Sequence, residues 1–351
     1  MHTTTELERP EADLHRAYLA MRSEEHPPRQ RDAAARLGVS EAELVAAHCG
    51  ETATRLRAEW FEILAELGTL GTVMALTRNE HTVIEKDGVY GEVKGHAHVA
   101  IMRNGALDLR LFCSTWASGF ACVEAGEKTK RSLQFFDESG TAVHKVHLRE
   151  ASDVEAFDVL VAKYRDDNQS PDLAVSPQPV EPYLDDASVD VESLRSAWDG
   201  MTEVHQFFGI LKKHKVSRRQ ALKLAGDDRA HRVSGKALET VLSRAAETAL
   251  DIMVFVGNRG CIEIHSGPVE RIVSMKGWIN VLDSEFNLHA NETGLHEAWV
   301  VRKPSQGMIL SSLEFYSSDG ENTALLFVNR EGGEEHIVRW NALLASLGPQ
   351  P

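Results

Sequence analysis

The sequence lacks three features that would each indicate a particular class of protein. It has only four cysteines in 351 residues, and Cys49, Cys113, Cys122 and Cys261 include no pair at metal-ligand spacing. It has no apolar run long enough to span a bilayer. Its first ten residues contain no basic segment followed by an apolar run, so no signal peptide is expected. We therefore expect a cytoplasmic protein with no membrane insertion, whose cysteines act as small buried apolar residues.

Positive charge is also in short supply. Lysine and arginine number 38 against 53 aspartates and glutamates, which gives a formal net charge of −15. Nucleic acids and anionic membranes are bound by cationic surfaces, so neither is expected as a partner. A local basic pocket for a small anion remains compatible with this composition.

The chain contains an internal repeat. Val-Met-Ala-Leu-Thr-Arg-Asn at 73–79 matches Ile-Met-Val-Phe-Val-Gly-Asn at 252–258, and Ser-Leu-Gln-Phe-Phe-Asp-Glu-Ser-Gly at 132–140 matches Ser-Leu-Glu-Phe-Tyr-Ser-Ser-Asp-Gly at 312–320. The offsets, 253 − 74 = 179 and 312 − 132 = 180, are nearly constant. By the same comparison His15 corresponds to His205, and a proline-rich acidic stretch separates the two copies. This pattern predicts a first repeat over 1–165, a linker over 166–191 and a second repeat over 192–351.

Each copy begins with helical patterns and continues with short alternating segments. Ser40 and Ser217 begin capping boxes, and 55–67 has helical periodicity. Seven short alternating segments follow between residues 72 and 148, and eight follow between 252 and 328. Many strands without intervening helices favour an antiparallel meander. The predicted fold class is α+β, a tandem repeat of two similar domains, each with a helical N-terminal part packed on a large antiparallel sheet.

A second N-terminal pattern allows an alternative interpretation. Residues 32–44 resemble a helix-turn-helix with Gly38 in the turn. The would-be recognition helix carries Glu41, Glu43 and Glu51, whose charge has the wrong sign for phosphates, so a structural helical hairpin is favoured. A ligand-responsive regulator that uses this hairpin is a weaker alternative.

The segment 198–215 is the most distinctive part of the chain. Met201, Val204, Phe208 and Leu211 fall at helical spacing and predict one apolar face, with His205 at its edge. Gly209, one turn further on, would let a flat molecule lie close to the helix. A histidine in such a place is more often a core residue than a ligand, so the pattern alone leaves both roles open.

Other histidines have simpler interpretations. His96 and His98 share one face of a strand and could bind a divalent metal, although no third ligand is in view. His81, His144 and His147 lie at or near predicted strand ends, where surface positions are expected.

Several motifs together resemble the HemS/HmuS/ChuS family of haem-degrading and haem-trafficking proteins. They are Met-Thr-Glu-Val-His-Gln-Phe-Phe (201–208), Leu-Asp-Leu-Arg-Leu-Phe (107–112), Phe-Val-Gly-Asn-Arg-Gly-Cys (255–261), Trp-Ile-Asn-Val (278–281) and Val-Arg-Lys-Pro (301–304). The likeness runs from about residue 14 to about 345. It implies a tandem α+β repeat and one haem b bound between the domains.

The resemblance also implies roles for five residues. His205 becomes the axial ligand of the haem iron, and Arg110 becomes the catalytic residue over the opposite haem face. Arg218, Lys303 and Arg330 become partners of the two propionates. Two functions follow: reductive, oxygen-dependent ring opening with an external electron donor, or delivery of imported haem to a separate haem oxygenase. A haem importer is a further partner that the resemblance implies.

Overall fold

The structure, a computed structural model, describes residues 11–178, 180 and 182–350. The stretch that bears on a signal peptide, 1–10, lies outside the described residues, as do Pro179 and Glu181 of the predicted linker. The described residues form ten α-helices: Glu11–Arg22 (α1), Gln30–Leu37 (α2), Glu41–Ala46 (α3), Trp60–Glu66 (α4), Val154–Tyr164 (α5), Val191–Asp199 (α6), Gln206–His214 (α7), Arg218–Ala225 (α8), Ala237–Thr248 (α9) and Gly333–Ala345 (α10).

The same residues form eighteen strands, which belong to two large antiparallel sheets. The first nine are Ala53–Arg55 (β1), Thr72–Arg78 (β2), Thr82–Val89 (β3), Val93–His96 (β4), Val99–Asn104 (β5), Leu107–Leu111 (β6), Trp116–Glu124 (β7), Lys130–Asp137 (β8) and Ala142–Leu148 (β9). The others are Ala230–Val233 (β10), Ile252–Gly257 (β11), Cys261–Gly267 (β12), Ile272–Met275 (β13), Trp278–Leu282 (β14), Phe286–Asn291 (β15), Glu297–Ser305 (β16), Met308–Tyr316 (β17) and Asn322–Val328 (β18).

The chain divides into two compact units. Unit 1 contains residues up to Leu76 together with Asp87–Gln178 and Arg259–Cys261. Its strands pair in the order β1-β7-β8-β9-β2, and β4, β5 and β6 form an antiparallel ribbon. A core of buried side chains from these strands and from α4 and α5 includes Ile63, Phe135 and Phe157.

Unit 2 contains Thr77–Lys86, the residues from 180 to Asn258, and Ile262 onwards. Five of its strands pair in the order β10-β16-β17-β18-β11, and β12 pairs with β11. The first residues of β3 pair with β15, which continues through β14 to β13. Helices α9 and α10 bury Leu238, Val241 and Trp340 in its main core.

The two units repeat one strand order, which confirms the α+β tandem repeat. The sequence β1-β7-β8-β9-β2 of unit 1 corresponds strand by strand to β10-β16-β17-β18-β11 of unit 2. The register agrees as well, since Met74 lies opposite His147 and Met253 lies opposite Phe327. The periodicity that revealed the duplication therefore came from equivalent strands with equivalent buried faces.

Two local predictions were wrong, one about a helix and one about His144, and three short strands were missed. The segment 55–67 is not one helix, because Arg55 pairs with Phe120 of β7 and helix α4 begins at Trp60. Strands β1, β4 and β10 were missed because three or four residues are too few to show an alternating pattern.

His144 is not a surface residue: it is buried in β9 and hydrogen-bonded to the Tyr90 hydroxyl at 2.5 Å. Burial lowers the pKa of His144 to about 3.

The helical hairpin of unit 1 is built into the core. Gly38 ends α2 in the left-handed region at φ 67°, and the Ser40 capping box begins α3. Most of α3 is buried, and the Glu41 carboxylate accepts a hydrogen bond from Lys145 Nζ at 2.5 Å. Glu41, the first acidic residue of the would-be recognition helix, is therefore a buried structural residue that pairs with Lys145.

The remaining expectations concern cysteines and the membrane. Cys113, Cys122 and Cys261 are buried thiols as expected, while Cys49 is half-buried. Burial raises the pKa of Cys122 to about 12, so its thiol stays protonated. Within the described residues, every helix is too short or too polar to cross a bilayer.

Candidate functional site

His205 lies immediately before helix α7 in unit 2. Helix α6 ends at Asp199, and the turn that follows is held by the Gln206 side chain, which accepts hydrogen bonds from the backbone N–H groups of Thr202 and Glu203 at 2.7 and 3.2 Å. The His205 side chain is exposed, and its imidazole has no hydrogen bond or ion pair with any residue that the structure describes. The ring nitrogens of His205 are thus accessible to a ligand.

The apolar face predicted for 198–215 was partly wrong. Met201 and Leu211 are buried, but Phe207 is the buried aromatic side chain, at 2% exposure, whereas Phe208 is 75% exposed. The interruption at 200–205 changes the helical register, so Phe207 packs edge-on against Trp198 with ring centroids 4.7 Å apart. Phe208 is left as a large apolar surface close to His205, and a Cβ on Gly209 would meet no atom within 4 Å.

Beneath Phe207 lies a cluster of two cations and one carboxylate. Arg218 donates to both oxygens of Glu314 at 2.7 Å, and Lys303 Nζ donates to Glu314 Oε1 at 2.7 Å. Ser312 and Tyr316 donate to the same carboxylate at 2.9 and 2.8 Å. The cations also lie over the Phe207 ring, at 5.2 Å for Arg218 and 4.6 Å for Lys303.

The pKa shifts in this cluster follow from burial opposed by charge. Burial lowers the pKa of Lys303 to about 8, even though Glu314 acts in the other direction. Burial alone would raise the pKa of Glu314, but Arg218 and Lys303 hold the pKa of this carboxyl well below its usual range. With the carboxylate ionised and both cations charged, the cluster carries a net charge of +1 below about pH 8.

Access to the three expected propionate partners differs. Arg218 keeps 30% of its side chain exposed, whereas Lys303 keeps 3%. Arg330 is exposed in the turn after β18. The structure thus joins Arg218 and Lys303 through Glu314 and places Arg330 outside the set of groups that contact this carboxylate.

Arg110 lies in unit 1, on strand β6. Its neighbours Leu109 and Leu111 point into the core, so the alternation of the strand turns Arg110 and Asp108 to the other face. The guanidinium forms an ion pair with Asp108 and also donates to the Leu109 carbonyl at 3.2 Å. It is half-buried, and Asp108 restricts its orientation.

Glu314 was not predicted as a site residue, although the repeat contains a signal for it. Glu314 occupies the position of Gln134 in the first copy, at offset 180. In unit 1 the Gln134 side chain accepts a hydrogen bond from the Gln30 side chain at 3.1 Å. In unit 2 the Glu314 carboxylate accepts hydrogen bonds from Arg218 instead. The equivalent pair is neutral in unit 1 and charged in unit 2. This difference marks unit 2 as the copy with a basic site.

These features suit one chemical class of ligand. An accessible imidazole can coordinate a metal, an exposed phenyl ring provides apolar contact, and a partly exposed arginine of a cationic cluster can bind a carboxylate. A flat, largely apolar molecule with a metal centre and peripheral carboxylates needs all three. The fold and the site therefore define a two-unit α+β protein that carries groups of the kinds a metalloporphyrin would need.

The chain belongs to the HemS family. The family described as "Haemin-degrading HemS.ChuX domain" matches residues 38–164 and again 215–347. The chain is 38% identical over 342 residues to the hemin transport protein HmuS of Yersinia pestis, covering 96% of this chain and 97% of that protein.

Comparison of the fold with solved structures identifies the same family. The holo form of PhuS, a heme-binding protein from Pseudomonas aeruginosa, is 45% identical with a TM-score of 0.94, covering 97% of this chain and all of that one. The Escherichia coli O157:H7 heme degrading enzyme ChuS is 36% identical with a TM-score of 0.90, at the same coverage. The sequence resemblance to this family is thereby confirmed.

Proposed function

We propose that this protein binds one haem b in the cytoplasm with His205 as the iron ligand and degrades it to release iron. The observation that carries the proposal is the exposed imidazole of His205, free of partners among the described residues, beside the exposed ring of Phe208. Histidine is a common axial ligand of haem iron. The names of the relatives, a hemin transport protein, a heme-binding protein and a heme degrading enzyme, support the same ligand.

The cationic residues of unit 2 would hold the propionates. Arg218 is the best placed for direct contact, because part of its guanidinium is exposed while Glu314 fixes its orientation. Lys303 is buried and would contribute through its charge. Arg330, exposed after β18, is the third proposed partner.

Arg110 would supply the catalytic positive charge. A guanidinium stays protonated throughout the physiological range, and its ion pair with Asp108 restricts its motion. As a fixed hydrogen-bond donor it would stabilise the negative charge that develops during oxidative ring opening. The electrons would come from an external donor, since the sequence shows no flavin or dinucleotide fingerprint.

The alternative function is a haem chaperone. Such a protein would use the same His205 and the same cations, receive haem from an importer, and deliver it intact to a separate haem oxygenase. The relatives favour neither function, because one is named for transport and another for degradation.

A haem titration of the full chain tests the proposal. Wild type is expected to bind one equivalent with a histidine-type Soret band, and His205→Ala is expected to change that band. His214→Ala is the matched control, because His214 lies at the other end of α7 and should leave the band unchanged. Ascorbate is then added in the presence of catalase, which removes free peroxide.

Each result has a defined meaning. Loss of the Soret band with formation of a linear tetrapyrrole, slowed by Arg110→Ala, would support degradation. A stable band, with haem passing to an added haem oxygenase, would instead establish the chaperone. An unchanged Soret band in His205→Ala would refute His205 as the ligand and with it the proposed site.

A further inference from the structure

Unit 1 contains a cavity of about 390 Å³ that the proposed haem site does not use. It lies among α1, the end of α3 and β7, and its walls include Tyr18, Leu44 and Cys122. Two histidines, His15 from α1 and His48 from the turn after α3, also line it. Their ring centroids are 4.5 Å apart with the planes tilted by 44°.

The hydrogen bonds of His48 fix which of its ring nitrogens carries a lone pair. Nδ1 lies 2.8 Å from the Leu44 carbonyl oxygen, which can accept but not donate, so Nδ1 carries the hydrogen. In the neutral ring Nε2 is then left with a lone pair. Nε2 is buried without a hydrogen-bond partner among the described residues.

His15 is arranged in the complementary way. Its Nε2 lies 3.3 Å from a Glu51 carboxylate oxygen, which can accept but not donate, so a hydrogen on Nε2 is the favoured arrangement. In the neutral ring this leaves the lone pair on Nδ1, which is likewise buried without a partner among the described residues. Leaving two buried acceptors unsatisfied is destabilising, and a bound ligand would relieve that cost.

We propose that His15 and His48 bind one divalent transition metal ion, such as Zn²⁺, in this cavity. Histidines that ligate metals usually donate their second N–H to a carboxylate or a backbone carbonyl. Here the Leu44 carbonyl lies at hydrogen-bond distance from His48, and the Glu51 carboxylate lies at ion-pair distance from His15. Imidazole suits Zn²⁺, Cu²⁺ and Ni²⁺. The described residues contain no group of three or more His, Cys, Asp or Glu placed to hold a metal, so water or a small ligand would complete the coordination.

A second pair of histidines provides the matched control. His96 and His98 are exposed, with ring centroids 5.9 Å apart, and the backbone N–H of His98 already donates to His96 Nδ1 at 3.3 Å. Neither ring has a carboxylate or carbonyl hydrogen-bond partner among the described residues. This pair lacks the orientation that His15 and His48 have.

The test is calorimetric titration of the haem-free full chain with Zn²⁺ alone. Wild type is expected to bind one equivalent, His15→Gln is expected to lose this binding, and the double variant His96→Gln/His98→Gln is expected to retain it. Glu51→Ala is expected to weaken the affinity by about 10- to 100-fold, because it removes the carboxylate that faces His15. Glu51 is exposed, so this variant tests the site without disturbing the core.

Wild-type protein provides a measurement that does not depend on variants. Long-range ¹H–¹⁵N spectra of histidine-labelled protein should show His48 with its hydrogen on Nδ1, and Zn²⁺ should shift His48 Nε2 and His15 Nδ1. Unmoved signals at saturating Zn²⁺, or binding lost only in His96→Gln/His98→Gln, would overturn the proposal. A second equivalent of haem bound through His15 would also overturn it. None of these outcomes depends on whether His205 binds haem.

Discussion

Replacing Glu314 with glutamine tests how the cationic cluster of unit 2 is stabilised. The substitution preserves the size of the side chain but removes a charge that accepts five hydrogen bonds, two from Arg218 and one each from Lys303, Ser312 and Tyr316. Glu314 is fully buried, so water cannot replace the lost charge.

The expected loss follows from the two cations that remain. Removing one partner of a buried ion pair typically costs about 3–5 kcal/mol, because the other charge is left uncompensated. Here the upper part of that range is expected, since Glu314→Gln leaves both Arg218 and Lys303 without a counter-charge. The loss should be smaller at pH 9 than at pH 6, because the pKa of Lys303 is already lowered to about 8 and this side chain can release its proton.

Urea unfolding followed by tryptophan fluorescence provides the measurement. Glu297→Gln is the matched control, because Glu297 pairs in the same bidentate way with Arg219, the next residue on α8. That pair involves one cation, so a loss of about 1–2 kcal/mol is expected. Adding Lys303→Met to Glu314→Gln should recover at least about 1 kcal/mol relative to the sum of the single changes. Equal losses in the two glutamine variants, or strictly additive effects in the double variant, would refute the reasoning.

Three further predictions concern residues around the proposed site and the buried sheet. Phe207→Ala should destabilise the protein by about 3–5 kcal/mol, whereas Phe208→Ala should change stability by less than about 0.5 kcal/mol and instead weaken haem binding; chemical denaturation and haem titration separate the two effects. Ser217→Ala should cost about 1 kcal/mol, because it removes the capping box of the helix that carries Arg218, and thermal melting should show the loss. Burial raises the pKa of Glu263 to about 8, so wild-type stability should fall as the pH rises from about 5 to 8, and Glu263→Gln should lack this decline in urea titrations across that range.

Much of the fold could be predicted from the sequence because the relevant signals are local or periodic. The repeat offset of 179–180 residues located equivalent strands, and fifteen alternating segments correspond to strands in the structure. The capping boxes at Ser40 and Ser217 are formed as predicted, since they depend on residues three positions apart. The family was identified from short motifs, and the comparisons confirm it. The site residues carried over from the resemblance, and the domain boundaries, stay predictions.

Other features were decided by tertiary packing. The choice of Phe207 rather than Phe208 as the buried ring depends on where the chain turns between α6 and α7, and a periodic pattern read through that turn gives the wrong face. The burial of His144 follows from side chains that cover both faces of β9, and those side chains come from distant parts of the sequence.

The electrostatics of the site show the same division. The sequence by itself supplied the candidates for haem binding: one histidine beside two phenylalanines, and arginine and lysine residues in recognisable motifs. Only the tertiary structure joined Arg218 on α8 to Lys303 on β16 through Glu314 on β17, 96 and 11 residues apart from that carboxylate. Charge interactions depend on distance and burial, neither of which the order of residues specifies. The sequence therefore determined the chemical groups available. Folding determined which of them form ion pairs and which are exposed to solvent.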